Sequence, residues 1–283
     1  GPVLISVPAD DWSRECEPVE ARRVGKLLRP DPDVMTEIAG ALDAARRPAF
    51  VIGASVDRDG AWDDVVQLAE RHKAGVWVAP MSGRCGFPED HRQFMGFLPA
   101  IREKIVSMLG GYDCIFVIGA PAFTYHVEGF GPHLPSGAKL VQLTDDPQVA
   151  AWAPVGTAAV GSISLGVREL LARTSPPVRE LPAPRAPLPR AEPSSPMSVA
   201  YVLQTLAELR DPASIVVEES PSARPVMHKY LPMLQSETFY TMCSGGLGYS
   251  MPAAVGVALA KPQSKLIGLI GDGSSMYSIQ ALY

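Results

Sequence analysis

The sequence has little charge and few aromatic residues, and it lacks the patterns that define several large classes of protein. Charged residues make up 19% and aromatic residues 7% of the 283 residues. No run of Lys and Arg occurs and the formal net charge is −5, which disfavours a nucleic-acid-binding surface. No apolar run reaches the roughly 18 residues of a membrane-spanning helix, and no signal peptide is visible. We therefore expect neither a nucleic-acid partner nor a membrane span.

Cysteine is also scarce, which excludes a disulfide framework and a cysteine-rich metal site. The four cysteines are Cys16, Cys85, Cys114 and Cys243. They are widely spaced, form no C-x-x-C pair and have no histidine nearby at ligand spacing. We expect thiols that are buried or half buried in a reducing compartment, and therefore a cytoplasmic protein.

The residues that are plentiful predict an α/β fold. Apolar residues make up 47% of the chain, and apolar runs of four to six residues alternate with amphipathic segments. This alternation is typical of doubly wound parallel sheets that are buried on both faces. We expect helices over 33–42, 61–72, 101–109, 198–209, 222–230, 251–260 and from Met276 onward, and strands over 48–53, 75–79, 113–119, 139–144, 214–217 and 265–270.

Composition divides the chain into five parts. Residues 1–8 are apolar and β-prone, and residues 9–30 are polar and weakly periodic, which is typical of a linker. Residues 31–173 form the first α/β domain. Eight prolines lie in and next to residues 174–195, which predicts an extended linker. Residues 196–283 begin a second α/β unit. Because both ends look cut, we expect an internal segment of a longer enzyme.

A Gly-Asp-Gly-Ser motif, Gly271–Ser274, follows the apolar run 266–270. If that run is a strand, the motif lies at its carboxyl end, where ligands bind in open α/β sheets. Glycine on either side of Asp272 allows an anion to approach the backbone, and a carboxylate suits Mg²⁺ held together with phosphate oxygens. The alternative is a simple turn in which Asp272 caps the following helix. The motif alone leaves both interpretations open.

A second glycine-rich turn, Gly245-Gly246-Leu247-Gly248, precedes a run of small residues over 251–260. Small residues there allow a helix to pack closely. A nicotinamide or flavin fingerprint needs G-x-G-x-x-G directly after a strand, with an acidic residue near the end of the next strand. This turn lacks that pattern, so a dinucleotide site is disfavoured.

A third polar segment, Glu218–Ser222, follows the strand predicted over 214–217. Ser222 is placed either to cap a helix or to donate a hydrogen bond to phosphate. A simple capped loop is the alternative, and the residues alone do not decide between them.

The histidines show no metal-binding pattern. There are five, His72, His91, His126, His133 and His228, and none is paired with a cysteine or an acid at ligand spacing. We expect His72 and His91 to be solvated surface residues. For His126, a role in the core or in an interface is favoured over catalysis.

The two glycine motifs, in this order and separation, resemble those of thiamine-diphosphate-dependent 2-keto-acid decarboxylases, most closely the benzoylformate decarboxylases. The resemblance spans nearly the whole chain. It is carried by the stretches GPVLISVPADDW (1–12), VWVAPMSGRCGFPEDH (76–91), FVIGAPAFTYH (116–126), CSGGLGYSMPAAVGVALA (243–260) and IGDGSSMYSIQAL (270–282). It identifies residues 1–8 as the last strand of a pyrimidine-binding domain, 31–173 as a central domain and 196–283 as the N-terminal part of a diphosphate-binding domain.

The resemblance implies two cofactors, thiamine diphosphate and Mg²⁺, and assigns residues to them. The cofactor-binding positions are Ser222, Gly245, Gly246, Leu247, Asp272, Gly273 and Ser274. Asp272 matches the Mg²⁺ ligand, Leu247 matches the residue that props the cofactor into its bent form, and the carbonyl of Gly245 matches the acceptor for the 4′-amino group. No catalytic residue is assigned, because the activating glutamate, a catalytic histidine of the pyrimidine-binding domain and the second metal ligand match no residue of this sequence.

The activity implied is non-oxidative decarboxylation of a 2-keto acid such as benzoylformate to an aldehyde and CO₂, in a homo-oligomer with tetramer as the expected form. The segment alone is expected to be inactive. Two positions depart from the family pattern: Ser198, or its neighbour Met197, stands in place of a histidine, and Pro221 stands in place of a threonine. Three alternatives therefore stay open, namely an acetolactate-synthase-like or hydroxyacyl-CoA-lyase-like enzyme, a nucleotide-binding module, and a non-catalytic paralogue.

Overall fold

A computed structural model describes residues 6–283. Most of the strand predicted over 1–8 lies outside the described residues, and residues 6–8 have no regular secondary structure. A short 3₁₀ helix, Ala9–Ser13, leads into an exposed stretch without helix or strand that reaches residue 29. Within the described residues, no helix is both long and apolar enough to cross a bilayer.

Six parallel strands form the sheet of the first unit. They are β1 (Pro48–Ile52), β2 (Gly75–Val78), β3 (Phe94–Phe97), β4 (Cys114–Ile118), β5 (Lys139–Thr144) and β6 (Thr157–Val160). Their order in space is β3-β2-β1-β4-β5-β6, so the chain runs outward from β1 in one direction and from β4 in the other. This is a doubly wound sheet, and it confirms the predicted fold class.

Helices cover both faces of this sheet. They are α1 (Pro32–Ala44), α2 (Ala54–Arg58), α3 (Trp62–His72), α4 (Arg102–Met108), α5 (Pro147–Trp152) and α6 (Ile163–Arg173). Alternate residues of β1 contribute to different cores, because side chains along a strand point to opposite faces. Phe50 belongs to one core, where its ring meets that of Phe116 edge-on at 5.5 Å, and Val51 belongs to the other. Every residue of β1 and β4 is buried, as the continuous apolar runs predict.

The second unit is smaller. Its parallel strands are β7 (Ile215–Glu219), β8 (Phe239–Thr241) and β9 (Leu266–Ile270), in the order β8-β7-β9. Its helices are α7 (Val199–Leu209), α8 (Arg224–Tyr230), α9 (Ser250–Ala260) and α10 (Asp272–Ser275), followed by a 3₁₀ helix over Ile279–Leu282.

Several sequence predictions are wrong in detail. The loop expected up to residue 99 contains strand β3, and α2, α5, β6 and α6 were not predicted. No α-helix begins at Met276, because the residues there form a turn and then only a 3₁₀ helix. Helix α9 forms as predicted, with Ser250 as its buried residue, and it contacts β7 and β9.

The predicted exposure of His72 is also wrong. His72 is fully buried, because Arg179 reaches back from the proline-rich segment and covers the end of α3. Arg179 donates hydrogen bonds to the carbonyls of Leu42, Asp43 and His72 and to the ring nitrogen Nδ1 of His72. Burial and the nearby Arg179 charge lower the pKa of His72 to about 4. His91, by contrast, is half buried beside Glu70.

Two of the four thiols are where we expected them. Cys85 and Cys114 are buried, whereas Cys16 and Cys243 are exposed, so the prediction of buried or half-buried thiols is wrong for that pair. All four are free cysteines.

Candidate functional site

Three loops meet at one edge of the smaller sheet. They follow β7 (220–223), β8 (242–249) and β9 (271–275). Because β8, β7 and β9 are parallel neighbours, their carboxyl ends lie side by side. The three segments that the sequence singled out are therefore brought together, although 49 residues separate Ser222 from Gly271.

Glu219, the last residue of β7, ties the two glycine motifs together. Its side chain is fully buried and accepts hydrogen bonds from the backbone N–H groups of Gly248 and Ser250, each at 2.6 Å. Its backbone carbonyl accepts the N–H of Gly271 at 2.9 Å. Sequence reasoning gave Glu219 no role. A buried acid at a strand end is a signal only once its burial is known.

Glu218 shapes the loop that carries Ser222. Its fully buried carboxylate accepts hydrogen bonds from the backbone of Ser220 at 2.5 Å and from Nε of Arg224 at 2.8 Å. The hydroxyl of Thr241 donates to it at 2.9 Å. Ser222 itself is exposed and does not cap α8, whose N-cap position is Ala223. The capping interpretation of Ser222 is therefore wrong.

The glycine-rich turn after β8 presents backbone and one apolar side chain to open space. Gly245 and Gly248 have φ values of +76° and +93°, a conformation that favours glycine. A Cβ atom on Gly245 would meet nothing within 4 Å. Gly246 is exposed, and Leu247 next to it is 44% exposed. The turn could therefore receive a ligand against the Gly245 carbonyl and the Leu247 side chain.

Asp272 is the first residue of α10 and is exposed, with Gly271 in the N-cap position. Because Gly271 and not Asp272 occupies the N-cap position, the capping interpretation of Asp272 is wrong as well. Gly273 is exposed and has open space around it, whereas Ser274 is 7% exposed. Across residues 6–283, no group of three or more His, Cys, Asp or Glu side chains could hold a metal ion. Asp272 is an exposed carboxylate, the kind of ligand that holds Mg²⁺ together with phosphate oxygens.

A cavity of about 1040 Å³ lies between the two units and reaches the turn after β8. Residues lining it include Phe97, His126, Pro221, His228 and Gly245. His126 is exposed on the cavity wall, so a core position for it is wrong. The rings of Phe97 and His228 stack at 3.7 Å, and burial together with Arg224 lowers the pKa of His228 to about 3.

Glu89 is a buried acid on the same cavity. It is 2% exposed, and burial raises its pKa to about 8, so it is mostly protonated at neutral pH. The thiol of Cys85 lies 3.4 Å from its Oε1.

The two departures from the family pattern fall in different places. Ser198 is the N-cap of α7, where its hydroxyl accepts the N–H of Tyr201 at 3.2 Å. Pro221 lines the cavity.

The loops at the switch point of the large sheet, between β1 and β4, contact one another. A Cβ on Gly53 would lie 2.2 Å from the carbonyl oxygen of Gly119, so the loops after β1 and β4 touch. Asp145, after β5, accepts hydrogen bonds from Ser55 at 2.9 Å and from Arg58 at 2.6 Å.

Comparison with known sequences and structures identifies the class of protein. Residues 35–170 match the family described as "Thiamine pyrophosphate enzyme, central domain", and residues 222–283 match "Thiamine pyrophosphate enzyme, C-terminal TPP binding domain". Together these ranges cover most of the chain. The chain belongs to the thiamine pyrophosphate (thiamine diphosphate) enzymes, which confirms the resemblance.

Within this family the chain is similar to benzoylformate decarboxylases. It is 40% identical to benzoylformate decarboxylase of Pseudomonas aeruginosa over all of this chain and 54% of the relative. Acetolactate synthase of Arthrospira platensis is 26% identical over all of this chain and 52% of the relative. The chain thus spans about half the length of the curated relatives it matches.

Two solved structures are similar over almost the whole chain. Benzoylformate decarboxylase from Polynucleobacter necessarius has a TM-score of 0.91 at 36% identity, over 98% of this chain and 53% of its own. The thiamine diphosphate-dependent 4-hydroxybenzoylformate decarboxylase of Rhodococcus jostii has a TM-score of 0.87 at 36% identity, over 97% of this chain and 53% of its own.

Proposed function

We propose that the protein to which this chain belongs is a Mg²⁺-dependent thiamine diphosphate enzyme that decarboxylates an aromatic 2-keto acid of the benzoylformate type, releasing an aldehyde and CO₂. The observation that carries the proposal is the link through Glu219, which holds the Gly245–Gly248 turn and the Gly271–Ser274 loop at one sheet edge. The 40% identity to a benzoylformate decarboxylase supports the substrate class.

The residues present fit such a cofactor. Asp272 would hold Mg²⁺, with Gly273, Ser274 and Ser222 beside the diphosphate. The Gly245 carbonyl would accept a hydrogen bond from the pyrimidine, and the exposed Leu247 would support the bend of the molecule. When bound, thiamine diphosphate supplies a carbon nucleophile and an electron sink for the loss of CO₂. Gly246, which is exposed between Gly245 and Leu247, would lie beside the bound cofactor.

His126 is our candidate for proton transfer in the cavity. Three histidines line the cavity, but His228 has a pKa of about 3 and is neutral at neutral pH. His91 lies 3.2 Å from Glu70 and accepts from the backbone of Gln93. His126 is the exposed one of the three, so it is the histidine that a substrate in the cavity can reach.

Cofactor titration tests the proposal. Thiamine diphosphate and Mg²⁺ are added to the full-length protein, as wild type and as Asp272→Ala, and binding is followed by calorimetry. We expect wild-type binding to depend on Mg²⁺ and Asp272→Ala to bind at least about tenfold more weakly, because a charge-assisted metal contact is lost. Asp63→Ala is the matched control, since Asp63 is also an exposed acid in the first turn of a helix. Equal affinity in wild type and Asp272→Ala would contradict the proposal.

A second candidate activity is carboligation of the acetolactate-synthase type. It is favoured by the acetolactate synthases that match all of this chain, although at 24–26% identity. Product analysis of the full-length enzyme with benzoylformate, and separately with pyruvate, distinguishes the two. Benzaldehyde and CO₂ from benzoylformate support the decarboxylase, and acetolactate from pyruvate supports the alternative. The assembly into a homo-oligomer and the cytoplasmic location are part of the proposal for the whole protein.

A further inference from the structure

The first unit, which contains β1–β6, contacts strand β8, and the glycine-rich turn follows directly after β8. The loop after β2 brings the carbonyl of Gly83 to the backbone N–H of Thr241, the last residue of β8, at 2.9 Å. A Cβ on Gly83 would lie 2.4 Å from Sγ of Cys243 and 3.0 Å from the carbonyl oxygen of Thr241. The approach is therefore so close that a side chain at this position would press on the segment entering the turn.

A partly buried ion pair contacts the other end of the same strand. Asp57, on α2, is 4% exposed and accepts the backbone N–H of Glu237 at 2.7 Å, two residues before β8. It also pairs with Arg84 at 3.1 Å. The guanidinium of Arg84 lies 4.7 Å from the ring centroid of Tyr240, in the middle of β8. We call Asp57, Gly83 and Arg84 the β8 clamp.

Strand β8 needs such support. It has three residues and, within residues 6–283, it lies at the edge of its sheet with β7 as its partner. A short strand with one partner is held weakly by its own ladder. The chain then runs from Thr241 directly into the turn that holds Gly245 and Leu247. Whatever fixes the end of β8 therefore fixes the starting point of that turn.

We infer that the β8 clamp is a positioning element for the cofactor, through which the central domain sets the place of the Gly245–Leu247 turn. This inference rests on the proposed function and adds three positioning residues to it. The loop after β9 makes its own bond to β7, because the N–H of Gly271 donates to the backbone carbonyl of Glu219, whereas the turn bonds to the Glu219 side chain. Loss of the clamp should therefore disturb the end of the site that receives the pyrimidine and spare the Asp272 end that receives Mg²⁺ and the diphosphate.

The test compares two ligands on the full-length protein. Thiamine diphosphate needs both ends of the site, whereas inorganic pyrophosphate with Mg²⁺ needs only the Asp272 end. For Gly83→Ala we expect the Kd of thiamine diphosphate to rise about tenfold, which corresponds to about 1.4 kcal/mol, because the turn that receives the pyrimidine is displaced. The Kd of Mg²⁺-pyrophosphate should stay within about twofold of wild type, because the Gly271–Ser274 loop keeps its link to Glu219.

Three further variants make the result decisive. Gly40→Ala is the matched control, because Gly40 is exposed on α1 with open space around it, and both affinities should stay at the wild-type level. Cys243→Ala in the Gly83→Ala background removes the nearest clashing atom and should restore part of the lost affinity. If Gly83→Ala does not fold, Arg84→Lys tests the same prediction, since lysine keeps the charge beside Asp57 but loses the flat contact with Tyr240.

The outcomes separate the inference from the proposed function. Unchanged thiamine diphosphate affinity in both Gly83→Ala and Arg84→Lys, with affinity lost in Asp272→Ala, overturns the inference and leaves the function standing. An equal loss of both ligands in Gly83→Ala also overturns it, because the effect would then be general destabilisation. Absence of thiamine diphosphate binding to wild type overturns the proposed function itself.

Discussion

The carboxylate of Glu219 accepts the backbone N–H of Gly248 at 2.6 Å. The acid ends the central strand of the small sheet, and the glycine ends the turn that carries Gly245 and Leu247. Because the acid is fully buried, it has no water to replace this hydrogen bond if the glycine moves away. The position of the turn is therefore coupled to the stability of the sheet.

Replacement of Glu219 should lower the stability of the sheet and weaken the hold on the glycine-rich turn. In Glu219→Gln, one side-chain atom becomes an N–H donor that faces a backbone N–H, of Gly248 or of Ser250. We expect the free energy of unfolding to fall by about 2 kcal/mol, the cost of leaving a buried group unsatisfied. Urea denaturation measures this, and thiamine diphosphate affinity should fall with it. Glu208→Gln is the control: Glu208 pairs with Arg190 at an exposed site, where the expected loss is below about 1 kcal/mol. A similar loss in both variants would contradict the assigned role.

His126→Gln should separate chemistry from binding. If His126 transfers protons in the cavity, the variant should lose about 10²-fold or more in kcat with benzoylformate. The affinity of the variant for thiamine diphosphate should not change. His126 lies on a loop of the first unit and not on the loops that follow β7, β8 and β9. His91→Gln, which alters another histidine of the cavity wall, should keep most of the activity. A wild-type rate in His126→Gln would remove this residue from the mechanism.

Acid should destabilise the protein through His72. Its folded-state pKa of about 4 lies below the unfolded value of 6.5, so the unfolded chain binds more protons between these values. Stability is fully present above pH 6.5 and is lost as pH falls toward 4, by about 3 kcal/mol for this group. Denaturation of wild type and His72→Gln from pH 7 to pH 4 measures the difference.

The variant should lack this part of the acid-side loss, because glutamine does not titrate there. His91→Gln leaves His72 and Arg179 in place and should keep it. If the free energy of unfolding falls equally in wild type and His72→Gln between pH 7 and pH 4, His72 does not cause the loss of stability in acid.

Alkali should destabilise the protein through Glu89. Its folded-state pKa of about 8 lies above the ordinary value of 4.5, so the folded chain binds more protons between these values. The contribution is fully present below pH 4.5 and is lost as pH rises through 8. In Glu89→Gln, which keeps the neutral form's shape, the stability difference from wild type should grow in the variant's favour between pH 6 and pH 9. A constant difference across that range would contradict a protonated Glu89.

Much of the fold could be predicted from local sequence. Strand β5 has the predicted bounds, and β1, β2 and β4 lie within one residue of theirs, because continuous apolar runs favour buried parallel strands. Strand β3 was missed because its four residues include a glycine and show no usable period. The helix expected from Met276 failed for another reason. Its apolar residues are exposed, and short helices need a packed face to be stable.

The sequence by itself determined the class of the sheet, the two glycine motifs and the candidate metal ligand Asp272, because each depends on residues that are neighbours in the chain. Only the tertiary structure decided how these parts are held. Glu219 meets Gly248 across 29 positions, Arg179 buries His72 across 107, and Asp57 meets Glu237 across 180. No local pattern encodes such pairings, since burial and partner choice arise when distant elements pack. The exposure of His126, the burial of His72 and the β8 clamp all follow from that packing.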